Sequence, residues 1–318
     1  MGLLVDGEWH DKWYDTEKHG GRFVRSKSQF RDQIRTDGRF KPESGRYHLY
    51  VSYACPWAHR ALIFRQLKGL EQHIDVSVVH PLMLANGWEF SEPPLKDALY
   101  NSDFMYQLYL KADPNYSGRV TVPVLWDKKE QTIVNNESAE IIRIFNHAFN
   151  DLTGNHDDYY PESLQQQIDS INEWIYHDIN NGVYKCGFAT QQDAYEEAFE
   201  ALFSALDRVE DILSEQTFLT GEQLTEADWR LFTTLVRFDA VYFGHFKTNR
   251  QRIVDYPNMW RYVRQLYQYP GVAETVVMDH IKRHYYASHK TINPTQIVPS
   301  GPDIDFMQPV SEVTYERS

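Results

Sequence analysis

The run Cys-Pro-Trp-Ala at residues 55–58 places a thiol where it could act as a nucleophile. Alternating apolar residues over 46–53 predict a strand before it, and helical spacing over 56–70 predicts a helix after it. Cys55 therefore lies at a helix start, where Pro56 suits the first position because its fixed φ fits. The free amides and the positive dipole end of a helix start lower the pKa of a thiol there and favour the thiolate, the form that attacks other sulfurs.

The second position of a dithiol pair is occupied by Ala58, so this site cannot close an internal Cys-x-x-Cys disulfide. A reactive Cys55 would therefore need an external thiol to resolve any mixed disulfide that it forms. The competing interpretation is that Cys55 is a small buried hydrophobe, which is a common fate of a lone cysteine. Cys186 has no activating context nearby and is interpreted as a packed thiol.

The composition of this 318-residue chain argues against several classes of protein. A net charge of −13 without a long basic run argues against a nucleic-acid partner. No apolar run approaches the ~20 residues of a membrane span, and the opening residues do not resemble a signal peptide. Two cysteines in a chain of this length fit a reducing compartment. We therefore expect a cytoplasmic protein that has no membrane partner.

The order of predicted elements over residues 46–150 indicates a thioredoxin-like domain. It runs strand, helix, strand, a long connection, a hairpin of two strands and a final helix. Such a domain has a mixed four-stranded sheet with helices on its faces, and it brings Cys55 close to Pro123. Pro123 heads its strand, where a residue without an amide proton marks an edge, a strand start or a cis turn. The connection over residues 81–114 is long enough to suggest a functional loop.

The second half of the chain has a different pattern. Residues 161–290 carry apolar residues at helical spacing almost throughout and predict an all-helical domain, with its last two helices at 259–269 and 272–284. Thr225-Glu226-Ala227-Asp228 resembles a capping box and is interpreted as structural. Residues 1–45 are interpreted as an ordered extension packed on the fold, and residues 291–318 as an extended tail.

A thioredoxin-like domain followed by a helical domain is the layout of cytosolic glutathione transferases, and the motifs resemble one subgroup. The run Tyr-Ala-Cys-Pro-Trp-Ala-His-Arg at 53–60 is similar to the active-site motif of the Xi-class transferases, or glutathionyl-hydroquinone reductases. The further matches are Gly87-Trp88-Glu89-Phe90, Arg119 through Pro123, Asn136-Glu137-Ser138, Gly182-Val183-Tyr184 and Arg283-His284-Tyr285-Tyr286. The resemblance covers about residues 1–295 and implies the glutathione transferase fold.

The resemblance implies that glutathione is the co-substrate and that five residues bind it. The helix start at Glu137 and Ser138 would offer amides, a hydroxyl and a carboxylate to the γ-glutamyl end. Val122 would pair its backbone with the cysteinyl unit, Arg119 would suit the glycine carboxylate, and Trp88 would wall the tripeptide. Each also has an ordinary interpretation as a helix start, a strand residue, a surface arginine or a core tryptophan.

The second substrate implied by the resemblance is a quinone-derived aromatic conjugate. Tyr184 and Tyr285 would face the hydroquinone ring and could assist proton movement, with Tyr242 a weaker candidate. The implied reaction removes glutathione from S-glutathionyl-(hydro)quinones through a Cys55 mixed disulfide, and a second glutathione then releases oxidised glutathione. The resemblance also implies a homodimer.

Two other functions stay open on the sequence. An omega-like thiol transferase or dehydroascorbate reductase would use the same Cys55 chemistry, and a transferase fold could also serve as a non-catalytic binding module. A metal site is not expected. His280 and His284 lie four residues apart on one helical face, but no third ligand with family spacing follows them.

Overall fold

The computed structural model describes residues 2–310. The described chain divides into two compact units. The first comprises residues up to Trp13, Ser26–His156 and Thr275–Ser288, and the second comprises Tyr14–Arg25, Asp157–Glu274 and the residues from His289 onward. Residues 311–318 of the predicted tail lie outside the described residues. The domain bounds predicted from the sequence stay a prediction.

The strands and helices are numbered here in chain order. The strands are β1 Leu3–Val5, β2 Glu8–His10, β3 Tyr47–Val51, β4 Asp75–Val78, β5 Met83–Leu84, β6 Gly87–Trp88, β7 Gly118–Arg119, β8 Val124–Asp127 and β9 Thr132–Asn135. The α-helices are α1 Pro56–Leu67, α2 Met105–Ala112, α3 Ser138–His147, α4 Asn150–Thr153, α5 Gln165–Ile175, α6 Gly182–Phe188, α7 Gln192–Glu215, α8 Glu226–Arg237, α9 Phe243–His245, α10 Pro257–Tyr267 and α11 Met278–Ser288.

The first unit is built on a mixed four-stranded sheet of order β4-β3-β8-β9. β3 pairs in parallel with β4 and antiparallel with β8, which pairs antiparallel with β9. Every residue of β3 is buried, as expected for a central strand whose two faces are both covered. The mixed four-stranded sheet predicted from the sequence is therefore confirmed.

Helix α1 begins where the sequence predicts. Cys55 is its N-cap residue, with extended φ and ψ of −75° and 120°, and Pro56 occupies the first helical position. Gly69 follows the helix end with φ of 65°, a left-handed conformation that glycine adopts without steric cost. Buried residues face the core from α1, and α1 packs against α3.

Two predictions of secondary structure are wrong. The segment predicted as a loop over residues 81–114 contains the β5–β6 hairpin and α2. Helix α2 was missed because it is only eight residues long and its aromatic residues, the half-buried Tyr106 and the buried Tyr109, gave no clear helical period. The Gln107 side chain caps it by accepting from the amide of Phe104. The helix predicted from residue 272 begins only at Met278, because a 3-10 turn occupies Ala273–Thr275.

The opening residues are ordered and belong to both units. β1 pairs antiparallel with β2 and with β7, so the start of the chain extends the first unit by a small sheet. The amide of Asp6 also donates to the Ser117 hydroxyl at 2.7 Å. Residues 14–25, by contrast, are grouped with the helices of the second unit.

The second unit is an assembly of helices, in which α6 packs on α7, α7 on α10, and α5 on α8. All twelve residues of α8 are buried. The capping box at its start is confirmed, since the Thr225 amide donates to Asp228 Oδ2 at 2.8 Å. Asp228 Oδ1 also accepts from the Leu219 amide and the Tyr262 hydroxyl, at 2.9 and 2.8 Å. Within residues 2–310, no helix has the length and apolar character needed to cross a bilayer.

Candidate active site

Cys55 lies at the strand-to-helix corner between β3 and α1. Its side chain and backbone are 8% exposed, and its Sγ lies 3.6 Å from the carbonyl oxygen of Val122, to which it donates. The Cys55 carbonyl accepts from the amide of His59 at 3.0 Å, the first bond of the helix. The sulfur therefore faces a polar backbone group at the head of β8, next to the cis Val122–Pro123 bond.

The start of α3 carries the residues predicted for the γ-glutamyl end of glutathione. Glu137 is the N-cap residue, and its Oε1 accepts from the Ala139 amide at 3.3 Å. Its Oε2 accepts from the Ser28 hydroxyl at 3.1 Å. The buried Ser138 occupies the first helical position and accepts from Arg60 Nη1 at 3.4 Å. A carboxylate placed at this helix start would meet free amides and the positive end of the helix dipole.

Arg119 lies in β7, where its guanidinium contacts the opening segment of the chain. Nη1 donates to the carbonyl oxygen of Lys12, and Nη2 donates to that of Trp13 at 3.0 Å. These bonds hold residues 12–13 against the first unit. The role of Arg119 at a glycine carboxylate stays a prediction.

Trp88 is buried in β6 and stacks on the ring of His284, with 4.9 Å between the centroids and 19° between the planes. His284 Nδ1 lies 2.8 Å from the carbonyl oxygen of Pro81. Since a carbonyl can only accept, Nδ1 carries the proton and donates it. His280, the other half of the predicted histidine pair, meets the Tyr53 ring edge-on at 5.5 Å. Within the part of the chain that the structure describes, no group of three or more His, Cys, Asp or Glu could hold a metal ion.

The three predicted tyrosines are divided between the units. Tyr184 in α6 is 8% exposed and meets the ring of the fully buried Tyr242 edge-on, 6.1 Å between the centroids. Tyr242 ends a π-helical turn at Phe238–Tyr242, and a second such turn at Tyr176–Asn180 precedes α6. Turns of this kind occur frequently at functional sites. Tyr285 is buried in α11, within the unit that carries Cys55 and Trp88.

Comparisons with known proteins agree with this geometry. The family model described as "Glutathione S-transferase, N-terminal domain" matches residues 54–148, and the one described as "Glutathione S-transferase, C-terminal domain" matches residues 192–265. The glutathionyl-hydroquinone reductase YqjG of Escherichia coli is 59% identical over 97% of this chain and 98% of its own length. The glutathionyl-hydroquinone reductase PcpF of Sphingobium chlorophenolicum is 54% identical over 99% of this chain and 100% of its own length.

Solved structures lead to the same family. The glutathione-bound structure of YqjG superimposes with a TM-score of 0.90 and 56% identity, over 97% of this chain and 98% of that one. The Xi-class transferase of Natrialba magadii superimposes with a TM-score of 0.91 and 50% identity, over 98% of this chain and 96% of that one. The chain belongs to the Xi class of the glutathione transferase family. The family and the fold predicted from the sequence are confirmed.

Both cysteines of this Xi-class transferase are buried, but their positions in the fold differ. Cys186 lies in α6 with apolar surroundings, and burial raises the pKa of its thiol to about 12. Cys186 is therefore the packed, inert thiol that the sequence predicts. Cys55 differs because it is the N-cap residue of α1, where the free amides and the positive end of the helix dipole favour a thiolate.

Two residues of the transferase near the predicted glutathione site were missed. Arg60 is 1% exposed, its guanidinium lies 4.7 Å over the Trp57 ring, and it donates to Ser138. The available signal was a charged residue in the first half of α1, close after the cysteine motif. Ser28, which donates to Glu137, left no signal, because it is one polar residue in a polar extension.

Proposed function

We propose that this protein is a glutathionyl-hydroquinone reductase, with Cys55 as its nucleophile and glutathione as its co-substrate. The observation that carries the proposal is the position of Cys55 as the N-cap residue of α1, where a thiolate meets the free amides of the helix start. The enzyme class predicted from the sequence agrees with the reductases YqjG and PcpF, at 59% and 54% identity over nearly the whole chain.

The first half of the reaction takes place at sulfur. The Cys55 thiolate attacks the glutathione sulfur of an S-glutathionyl-hydroquinone whose ring has shifted to its keto form. The carbon–sulfur bond breaks, and its electron pair passes through the ring to a ring oxygen, which takes a proton to give the hydroquinone. Cys55 is left as a mixed disulfide with glutathione. Tyr184 or Tyr285 would give this proton, and Tyr242 is a further residue for the hydroquinone.

The second half of the reaction restores the enzyme. A second glutathione, as its thiolate, attacks the glutathione sulfur of the mixed disulfide, and oxidised glutathione leaves with the Cys55 thiolate restored. An external thiol is required because Ala58 occupies the position of a resolving cysteine. For the tripeptide we propose contacts with Trp88, Arg119 and Val122, together with the α3 start at residues 137–138.

The proposal is tested with a glutathione conjugate of menadione and with chlorinated hydroquinone conjugates. Wild-type protein is expected to release the hydroquinone with ping-pong kinetics, and one glutathione should be trapped on Cys55 by mass spectrometry. Cys55→Ala should abolish the reaction, whereas Cys186→Ser serves as the matched control and should retain it. Full reductase activity in Cys55→Ala would refute the mechanism.

The alternatives predicted from the sequence are separated by the same experiment. Faster turnover of hydroxyethyl disulfide or dehydroascorbate than of the conjugates would favour an omega-like transferase. Inactivity towards every thiol substrate with intact folding would favour a binding module. The homodimer, the cytoplasmic location and the lack of a metal cofactor stay predictions, and the first of these is checked by light scattering in solution.

A further inference from the structure

Residues 14–25, named here the N-terminal strap, lie along the helices of the second unit. The hydroxyls of Thr16 and Thr190 are 3.0 Å apart, and the Thr190 amide donates to the Gly21 carbonyl oxygen at 3.1 Å. Further along, Arg22 pairs with Glu197 of α7 at 2.5 Å. The bonds at Thr16 and Gly21 anchor the strap, whereas the Arg22–Glu197 pair joins two side chains that are 50% and 66% exposed and should contribute little to the position of Arg25.

That last residue, Arg25, lies over the face of Tyr184. Its guanidinium carbon is 5.1 Å from the centroid of the Tyr184 ring. Its Nε donates to Asn181 Oδ1 at 2.9 Å, and Asn181 is buried directly before α6. The buried Phe23 supports the arrangement from the strap side, since its ring lies 6.3 Å from that of Tyr184.

A cation in this position changes the balance between the two protonation states of a tyrosine. The face of an aromatic ring carries partial negative charge and attracts a guanidinium. The attraction grows when the hydroxyl loses its proton, because the ring then shares a full negative charge at short range. The bond to Asn181 holds the planar guanidinium in one orientation. A guanidinium held over the face of a tyrosine ring therefore favours the phenolate over the neutral phenol.

We propose that Arg25 is a positioning residue of the reductase, which holds Tyr184 in place and makes it a stronger proton donor to the departing ring. The inference rests on the proposed role of Tyr184. In the step concerned, the Tyr184 hydroxyl gives its proton to the ring oxygen, its phenolate is stabilised by Arg25, and water restores the proton. The N-terminal strap thereby contributes a residue to catalysis.

Among the described ring contacts of Tyr184, Arg25 supplies the positive charge. Among the side chains whose ring contacts with Tyr184 are described, Phe23, Phe188 and Phe246 are neutral, and Tyr242 is titratable. Lys185, the neighbour of Tyr184 in α6, donates its ammonium to the His177 carbonyl oxygen at 2.8 Å.

The test compares three variants across a pH series with the menadione conjugate. Arg25→Met removes the charge at similar length, Arg25→Lys keeps the charge, and Arg22→Met removes a different cation of the same strap. For Arg25→Met we expect the alkaline limb of the kcat profile to move up by about one pH unit, with about a three- to tenfold fall in kcat at neutral pH. Arg25→Lys should keep most of the rate, and Arg22→Met should match wild type.

A second substrate separates catalysis from folding. Reduction of hydroxyethyl disulfide expels a thiolate and needs no proton on a ring oxygen, so Arg25→Met should leave its rate within about twofold. An equal loss with both substrates would overturn the inference and assign Arg25 a structural role. In a Tyr184→Phe background, Arg25→Met should cause no further loss of hydroquinone release, because the two residues act through one proton.

The proposed role of Tyr184 and the proposed role of Arg25 are tested separately by the two substitutions. If Tyr184→Phe keeps full reductase activity, the proposed role of Tyr184 is wrong and the inference falls with it. If Tyr184→Phe loses activity but Arg25→Met leaves the pH profile unchanged, the inference alone is wrong.

Discussion

The indole of Trp88 lies flat against the imidazole of His284, with 4.9 Å between the ring centroids. The two residues belong to elements of the first unit that are far apart in the sequence, β6 and α11. His284 is itself held by its bond to the Pro81 carbonyl oxygen. The hydrogen bond of His284 and its stacking on Trp88 therefore orient Trp88, which we propose to line the glutathione site.

His284→Ala should leave Trp88 less firmly held and weaken glutathione binding. The substitution removes the ring under Trp88 and leaves the Pro81 carbonyl without its donor, which costs about 1–3 kcal/mol of stability for a buried group. We expect the KM for glutathione to rise several-fold and kcat to change less. Steady-state kinetics with varied glutathione measures both, and thermal unfolding measures the stability loss. An unchanged KM would show that Trp88 does not depend on His284 for its function.

Alkylation should distinguish the two cysteines. Because burial raises the pKa of Cys186 to about 12, its thiol stays protonated between pH 7 and 9 and should resist iodoacetamide. Cys55 should be labelled first, and glutathione in excess should protect it. Peptide mass spectrometry after a time course gives the two rates. Labelling of Cys186 at a rate similar to that of Cys55 in native protein would contradict the assignment.

The same pKa predicts a loss of stability at alkaline pH. The folded-state pKa of Cys186 is raised above its ordinary value of 9.0, so the unfolded thiol ionises first. This contribution to stability is complete below pH 9 and is lost as the pH rises towards 12. Cys186→Ala should therefore show a shallower fall in the free energy of unfolding over pH 9–11 than wild type does. Parallel curves for the two proteins would show that Cys186 makes no such contribution.

Glu137→Gln should weaken glutathione binding while leaving the thiol in place. The amide can still accept from the Ala139 amide at the start of α3, but it lacks the charge proposed to pair with the γ-glutamyl ammonium. We expect the KM for glutathione to rise about tenfold or more, with little change in melting temperature. Glu140→Gln, on the same helix, is the control. Equal effects from the two variants would argue against a specific role for Glu137.

Asp228→Ala should destabilise the second unit. The substitution removes the acceptor for the Leu219 and Thr225 amides and for the Tyr262 hydroxyl, all at a buried helix start. Losing the cap and leaving buried donors unpaired should cost about 3 kcal/mol or more. Denaturant unfolding measures the change. A cost below about 1 kcal/mol would indicate that water replaces the carboxylate.

The prediction from sequence succeeded where a structure follows from neighbouring residues. The thiol of Cys55 could be placed at a helix start without any knowledge of the fold. Apolar residues alternate before it, helical spacing follows it, and Pro56 suits the first helical position. The same holds for the capping box at Thr225. The prediction of secondary structure failed at α2, a single short helix whose aromatic residues gave no clear period. It also failed at the 3-10 turn before α11.

Motif and local pattern were thus sufficient for the family, the fold class and the position of Cys55 at a helix start, because each depends on residues adjacent in the chain. Only the tertiary structure decided that Arg119 holds the carbonyls of Lys12 and Trp13, that Trp88 rests on His284, and that Arg25 covers Tyr184. These pairs are distant in sequence. A contact made by chain folding leaves no periodicity and no local spacing from which it could be predicted.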